Sequence, residues 1–363
     1  MKWSWRLATV AGIGIYVHAT FFLLIAWIAF AYWAEHRSVA AVASGVGFIL
    51  ALFGCVLLHE LGHALAARRY AIRTRDITLL PIGGVARLER MPEDPRQELV
   101  VALAGPAVNV AIAAVLYIGI VAGGGPLGPE RLSVASGPFV ERLMLVNVML
   151  VLFNLLPAFP MDGGRVLRAL LATRMEYTRA TQMAASLGQA VALGFGLLGV
   201  MGNPFLIFIA LFVWIGAEQE ASLVRMRAAL EGIPVDRAML RDFQALSVGD
   251  SLDRAVELVL AGSQQDFPVV DGDEVRGILT RGDLMAALAQ RDRTTPVADV
   301  MRTDFRVAES GEMLDDVFRR LQECECHTMP VLRRGRLAGL LTAENVGEFL
   351  MIQAALRARE AAG

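Results

Sequence analysis

The chain has 363 residues, a formal net charge of −2, 55% hydrophobic residues and a mean hydropathy of +0.51. That balance excludes an ordinary soluble enzyme and offers no electrostatic basis for a nucleic-acid partner. The apolar excess lies before residue 222, so a membrane-embedded part precedes a soluble tail.

A helix needs about 20 apolar residues to cross a bilayer, and six such runs occur in chain order. They are "IYVHATFFLLIAWIAFAYW" (15–33), "AAVASGVGFILALFGCVLL" (40–58), "LVVALAGPAVNVAIAAVLYIGIVA" (99–122), "FVERLMLVNVMLVLFNLLP" (139–157), "MAASLGQAVALGFGLLGVM" (183–201) and "PFLIFIALFVWIGA" (204–217), the last extended by 218–223. The first run is too long for a cleaved signal peptide and is expected to stay as an anchor. Basic residues cluster before span one (Lys2, Arg6), between spans two and three (Arg68 to Arg96), between spans four and five (Arg165 to Arg179) and after span six (Arg225, Arg227). The excess of positive charge on cytoplasmic loops then predicts a multi-pass protein of the cell membrane with both termini and the tail in the cytoplasm.

The second run ends in "CVLLHELGHALAARR" (55–69), where His59 and His63 stand four apart and share one helix face, with Glu60 beside them. This HExxH spacing lets both imidazoles reach one Zn²⁺ while the glutamate serves as general base. The alternative is a pair of solvated histidines at the helix end, with Glu60 pairing Arg68 or Arg69.

A third ligand is expected from Asp162 in "NLLPAFPMDGGRVLRAL" (154–170), at the cytoplasmic end of span four. Spans two and four run the same way, so Asp162 falls at the depth of the histidines. Pro157 and Pro160 interrupt helix there, and an irregular segment can turn a carboxylate into a wet cavity. Asp162 also reads as an N-cap for the helix that follows.

These motifs, with "AGPAVN" (104–109) and "GIGIYVHATF" containing His18, resemble the site-2 protease family of intramembrane zinc metalloproteases over about residues 1–222. The resemblance implies that His59, His63 and Asp162 bind zinc, that Glu60 activates water, and that Asn154 donates to the scissile carbonyl or its oxyanion. It implies a membrane-spanning protein substrate, with an anti-sigma factor or another single-span regulator as the family's example. "DITLLPIGGVARLE" (76–89) is similar to the family's membrane-associated strand or re-entrant loop, where a substrate could add a strand; a simple loop is the other reading. His18 is expected in packing or gating, Cys55 as a small buried residue, and His36 as an exposed loop residue.

Residues 223–234 read as a helical linker, followed by a repeat: Pro268 and Pro330, Gly277 and Gly339, and Thr280 and Thr342 are each 62 positions apart. Each unit, 235–292 and 293–363, reads as helix, strand, turn, strand and helix. The repeat resembles a tandem pair of CBS modules, which implies an adenine nucleotide held through Thr280 and Asp283 and through Thr342 and Asn345, and a homodimer formed through the pair. "CECH" (324–327) lacks the usual zinc spacing.

The expected fold is therefore a polytopic α-helical membrane protein of about six transmembrane helices with a HExxH zinc site, joined to a cytoplasmic α+β tandem CBS domain. A CBS-regulated transporter and an inactive membrane scaffold are the competing functions. The polar residues gather at the cytoplasmic ends of two spans and trace no path across, which argues against transport.

Overall fold

The computed structural model describes residues 3–89, 91–124, 137–324 and 328–362. The chain divides into two compact units, Met1–Val224 and Arg225–Gly363.

The first unit opens with a hairpin that the hydropathy reading missed: β1 (Ser4–Val10) and β2 (Ile13–His18) turn at Ala11 and Gly12, both at positive φ. Ile13, Ile15 and Val17 alternate inward, the period of a half-buried strand. Span one therefore begins later than expected, as α1 (Ala19–His36), with His18 as its N-cap accepting from the Thr20 N–H. His36 is the last residue of α1, not a loop residue.

Next come α2 (Val39–Arg68), β3 (Thr74–Leu80) and β4 (Gly83–Leu88). The strands form one sheet in the order β1-β2-β3-β4, parallel only between β2 and β3. The segment around 76–89 is thus a hairpin with β4 at the sheet edge.

Asp94 then caps α3 (Pro95–Ala122), followed by α4 (Phe139–Asn154), α5 (Asp162–Ala172), α6 (Tyr177–Met201) and α7 (Phe205–Leu230). Among the described residues, α1, α2, α3, α6 and α7 are the five helices long and apolar enough to cross a membrane. The expected fourth span is only 16 residues long as a helix, because the chain leaves helical geometry after Asn154, ahead of Pro157 and Pro160.

Helix α2 has two working faces. Leu57, Leu61 and Ala64 pack on Ile13, Ile77 and Ala86 of the sheet. Cys55, His59 and His63 lie on the opposite side by the 3.6-residue repeat, and the histidines meet α3 there.

The second unit contains β5 (Leu246–Ser247), α8 (Leu252–Ala261), β6 (Phe267–Asp271), β7 (Glu274–Leu279) and α9 (Arg281–Leu288). Its second half repeats them as β8 (Ala308–Glu309), α10 (Leu314–Glu323), β9 (Thr328–Arg333), β10 (Arg336–Thr342) and α11 (Ala343–Ala362). Two three-stranded sheets result, β5-β6-β7 and β10-β9-β8.

The two halves exchange their leading segments. Leu240 bridges Leu340, and Arg302 bridges Ile278, so the stretch before each half packs on the other half. Val235 and Met239 enter the core of β8 to β10, while Val297 enters that of β5 to β7. Gly277 and Gly339 make this possible: a Cβ on either would lie 2.7 Å or 2.8 Å from the carbonyl oxygen of Arg302 or Leu240. Of the "CECH" stretch, Cys326 and His327 lie outside the described residues.

Candidate active site

The site is assembled from α2, α3 and α5. His59 and His63, one turn apart and buried, bring their Nε2 atoms to 3.1 Å from one another. Asp162 Oδ2 lies 3.2 Å from the first and 3.1 Å from the second. Asp162 is the first residue of α5, where Met161 holds the cap position, so its carboxylate faces the imidazoles and does not close the helix.

The outer nitrogens of both rings are committed elsewhere. His63 Nδ1 donates to the Val101 carbonyl of α3 at 2.7 Å. His59 Nδ1 donates to Asn109 Oδ1 at 2.5 Å, and a chain of amides fixes that polarity. Asn147 of α4 donates through Nδ2 to the Leu143 carbonyl at 2.8 Å, which turns its Oδ1 toward Asn109 Nδ2, also at 2.8 Å. Asn109 must then present its oxygen to His59. Asn147 Nδ2 also reaches Cys55 Sγ at 3.4 Å.

With both ring protons on Nδ1, two Nε2 lone pairs and a carboxylate oxygen point into one space with no donor among them. Such a convergence is stable around a cation, and two histidines with one carboxylate leave the open position of a catalytic zinc site. Gly105 of α3 keeps the space free, since a Cβ there would collide with the Nε2 atoms of both histidines. The residues present therefore fit zinc.

Around this centre, Arg165 Nη1 is 4.0 Å from the other oxygen of Asp162. Glu60 is half-buried beside β4; a Cβ on Gly84 would lie 2.8 Å from Glu60 Cγ, so the strand backbone rests on the glutamate stem. Asn154 ends α4 and is half-buried. Asn147 was not singled out from sequence, and Gly105 and Asn109 stood out only within the "AGPAVN" motif with no role assigned, although the two asparagines stand inside apolar runs where polar groups are costly.

In the second unit the four tail residues form two equivalent caps. Thr280 Oγ1 donates to Asp283 Oδ2 at 2.5 Å and accepts from the Asp283 N–H at 3.1 Å. Thr342 and Asn345 repeat this at 2.6 Å and 3.1 Å. Asp283 differs in also accepting from Arg302 Nε at 2.6 Å and Nη2 at 3.1 Å.

Residues 47–127 and 131–195 match peptidase family M50, and residues 235–290 and 297–351 match the CBS domain. A zinc metalloprotease of Methanocaldococcus jannaschii is 32% identical over 347 residues, covering 95% of this chain and 96% of its own. Rip3 of Mycobacterium tuberculosis is 30% identical over 324 residues, 84% of this chain and 80% of that one. The solved site-2 protease of M. jannaschii is 39% identical with a TM-score of 0.44, covering 60% of this chain and 95% of that chain. On the family-model matches and the 32%-identical relative, the chain belongs to peptidase family M50, the site-2 proteases, and is a zinc-dependent membrane metalloprotease that carries a tandem CBS pair.

Proposed function

We propose that the protein is an intramembrane endopeptidase that cuts single-span membrane proteins, anti-sigma factors among them, and that its CBS pair regulates the cut. The observation that carries this reading is the convergence of His59, His63 and Asp162 next to Glu60. When bound, zinc supplies Lewis acidity to the scissile carbonyl and acidifies water to a pKa of about 7.

Glu60 takes the proton of the attacking water and delivers it to the leaving amine. Asn154 donates its amide N–H to the oxygen that gains charge. The Asn109 and Val101 acceptors hold the two ligand rings in orientation throughout. A helical substrate must unwind before its carbonyl can reach this centre, and the β4 edge offers it replacement backbone pairing beside Glu60.

The basic loops support an orientation with both termini and the tail in the cytoplasm. The tail is read as a nucleotide sensor in which Thr280, Asp283, Thr342 and Asn345 meet ribose hydroxyls, and as a homodimer contact.

The test uses purified protein in detergent with a panel of single-span membrane peptides. Glu60→Gln is expected to keep zinc and lose cleavage; Asp162→Ala is expected to lose zinc. Well-folded wild type with neither zinc nor cleavage would sink the proposal. A second titration, with AMP and ATP, checks the tail: no binding by wild type would refute the sensor.

A further inference from the structure

We propose that Arg168 is a positioning residue for Asp162, and that Glu220 on α7 sets how firmly it acts. The proposal rests on the reading of Asp162 as a metal ligand.

Arg168 sits on α5 and is fully buried. Its Nε and Nη2 both donate to Glu98 Oε1 of α3, at 2.8 Å and 2.5 Å, and its Nη1 donates to Glu220 Oε1 of α7 at 2.5 Å. The guanidinium stands over the rings of Phe159 and Tyr177, at 5.0 Å and 4.9 Å. A buried ion cluster is a poor way to gain stability, because the desolvation of its charges consumes most of what pairing returns, and apolar residues of similar volume often serve as well. What such a cluster does supply is a defined relative placement of the elements it joins.

Those elements are the ones that build the metal centre. Helix α3 carries Val101, Gly105 and Asn109, which orient the two histidines and keep their space open. Helix α5 carries Asp162 at its first residue and has only 11 residues, about three turns, following the non-helical stretch 155–161. Arg168 is six residues after Asp162, about 9 Å along the same rigid helix. The Glu98–Arg168 bond therefore fixes the distance between the carboxylate ligand and α3, the helix whose Val101 and Asn109 orient the imidazoles on α2.

Glu220 makes this bond adjustable. Arg168 places two donors on one oxygen of Glu98, while the other, Oε2, is buried without a hydrogen-bond partner among the described residues. If Glu220 withdraws, the guanidinium can turn to engage both oxygens of Glu98, the geometry arginine prefers with a carboxylate. The cluster thus has a second arrangement whose gain at Glu98 offsets the loss at Glu220, and passing between the two turns α5 and moves Asp162.

The experiment is zinc affinity by competition with a chromophoric chelator, together with the visible spectrum of the Co²⁺-substituted full-length protein. It compares wild type, Glu220→Gln, Arg168→Lys, Asp162→Ala and Gln189→Ala. The last removes a different contact to α7, with Glu218. Glu220→Gln and Arg168→Lys are expected to weaken zinc about tenfold and to shift the Co²⁺ spectrum, with Gln189→Ala like wild type. Should Arg168→Lys fail to fold, Glu220→Gln decides. Wild-type affinity and spectrum in Glu220→Gln, with Asp162→Ala deficient in zinc, overturns the proposal, as does equal weakening in Gln189→Ala. Unchanged affinity in Asp162→Ala overturns the ligand reading beneath it instead.

Discussion

Asn109 Oδ1 stands 2.5 Å from His59 Nδ1, and Asn109 is held in turn by Asn147 at 2.8 Å. Both asparagines are fully buried, so the amide chain is a fixed scaffold for one imidazole. Asn109→Leu is expected to lower zinc affinity about 10- to 100-fold, and Asn147→Leu about tenfold, in a competition titration. Equal affinity in all three proteins would reduce the chain to packing.

Gly105→Ala separates space from helix propensity. Alanine favours a helix over glycine by about 1 kcal/mol, so propensity alone predicts a more stable α3. The added methyl group would nevertheless occupy the point on which the Nε2 atoms of His59 and His63 converge. The expected outcome is a folded protein by circular dichroism with no zinc by metal analysis; a zinc-replete variant would show that the centre lies elsewhere.

In the tail, Asp266 and Thr328 occupy equivalent repeat positions and bond to each other, Thr328 Oγ1 donating to Asp266 Oδ2 at 2.8 Å. Asp266 Oδ1 also accepts from the Arg281 N–H at 3.0 Å. Thr328→Val would leave a buried carboxylate oxygen unpaired, at a cost of about 1–3 kcal/mol. Hydrogen exchange should then rise together in β6 and β9, because the bond joins the two halves. Faster exchange in β9 alone would contradict that coupling.

Asp283 gives the tail an acid-sensitive contact. Burial pushes its carboxyl pKa up, but the Arg302 guanidinium and the Thr280 hydroxyl outweigh this and hold it below the usual aspartate value. A depressed folded pKa stabilises fully above the unfolded value of about 3.9 and is lost as pH falls through the folded value. Urea unfolding of the tail between about pH 5 and pH 2 should therefore show a smaller acid-induced loss in Arg302→Met than in wild type. Identical pH profiles would mean that the pair contributes nothing.

Much of this architecture was legible because the membrane imposes simple rules. Spans two, three, five and six were visible as long apolar runs, and the HExxH spacing put two imidazoles on one face of α2. The 62-residue period exposed the duplicated tail, and the structure extends it to Asp266 with Thr328. Hydropathy misjudged residues 15–18, because an apolar segment of that length has the same composition in a strand as in a helix. It also overran the end of α4, where two prolines compete with an apolar run.

What the sequence determined by itself was local: which segments are apolar enough to enter a bilayer, which residues share a helix face, and which stretch repeats. What only the tertiary structure decided was which polar residues meet. Asn147 belongs with His59 through Asn109, Gly105 with the Nε2 atoms of His59 and His63, and Arg168 with acids 70 and 52 residues away, at Glu98 and Glu220. The physical reason is that a helix face fixes direction but not partner. The partner depends on how α2, α3, α4, α5 and α7 pack, and no periodicity in a single segment encodes the depth at which two helices meet.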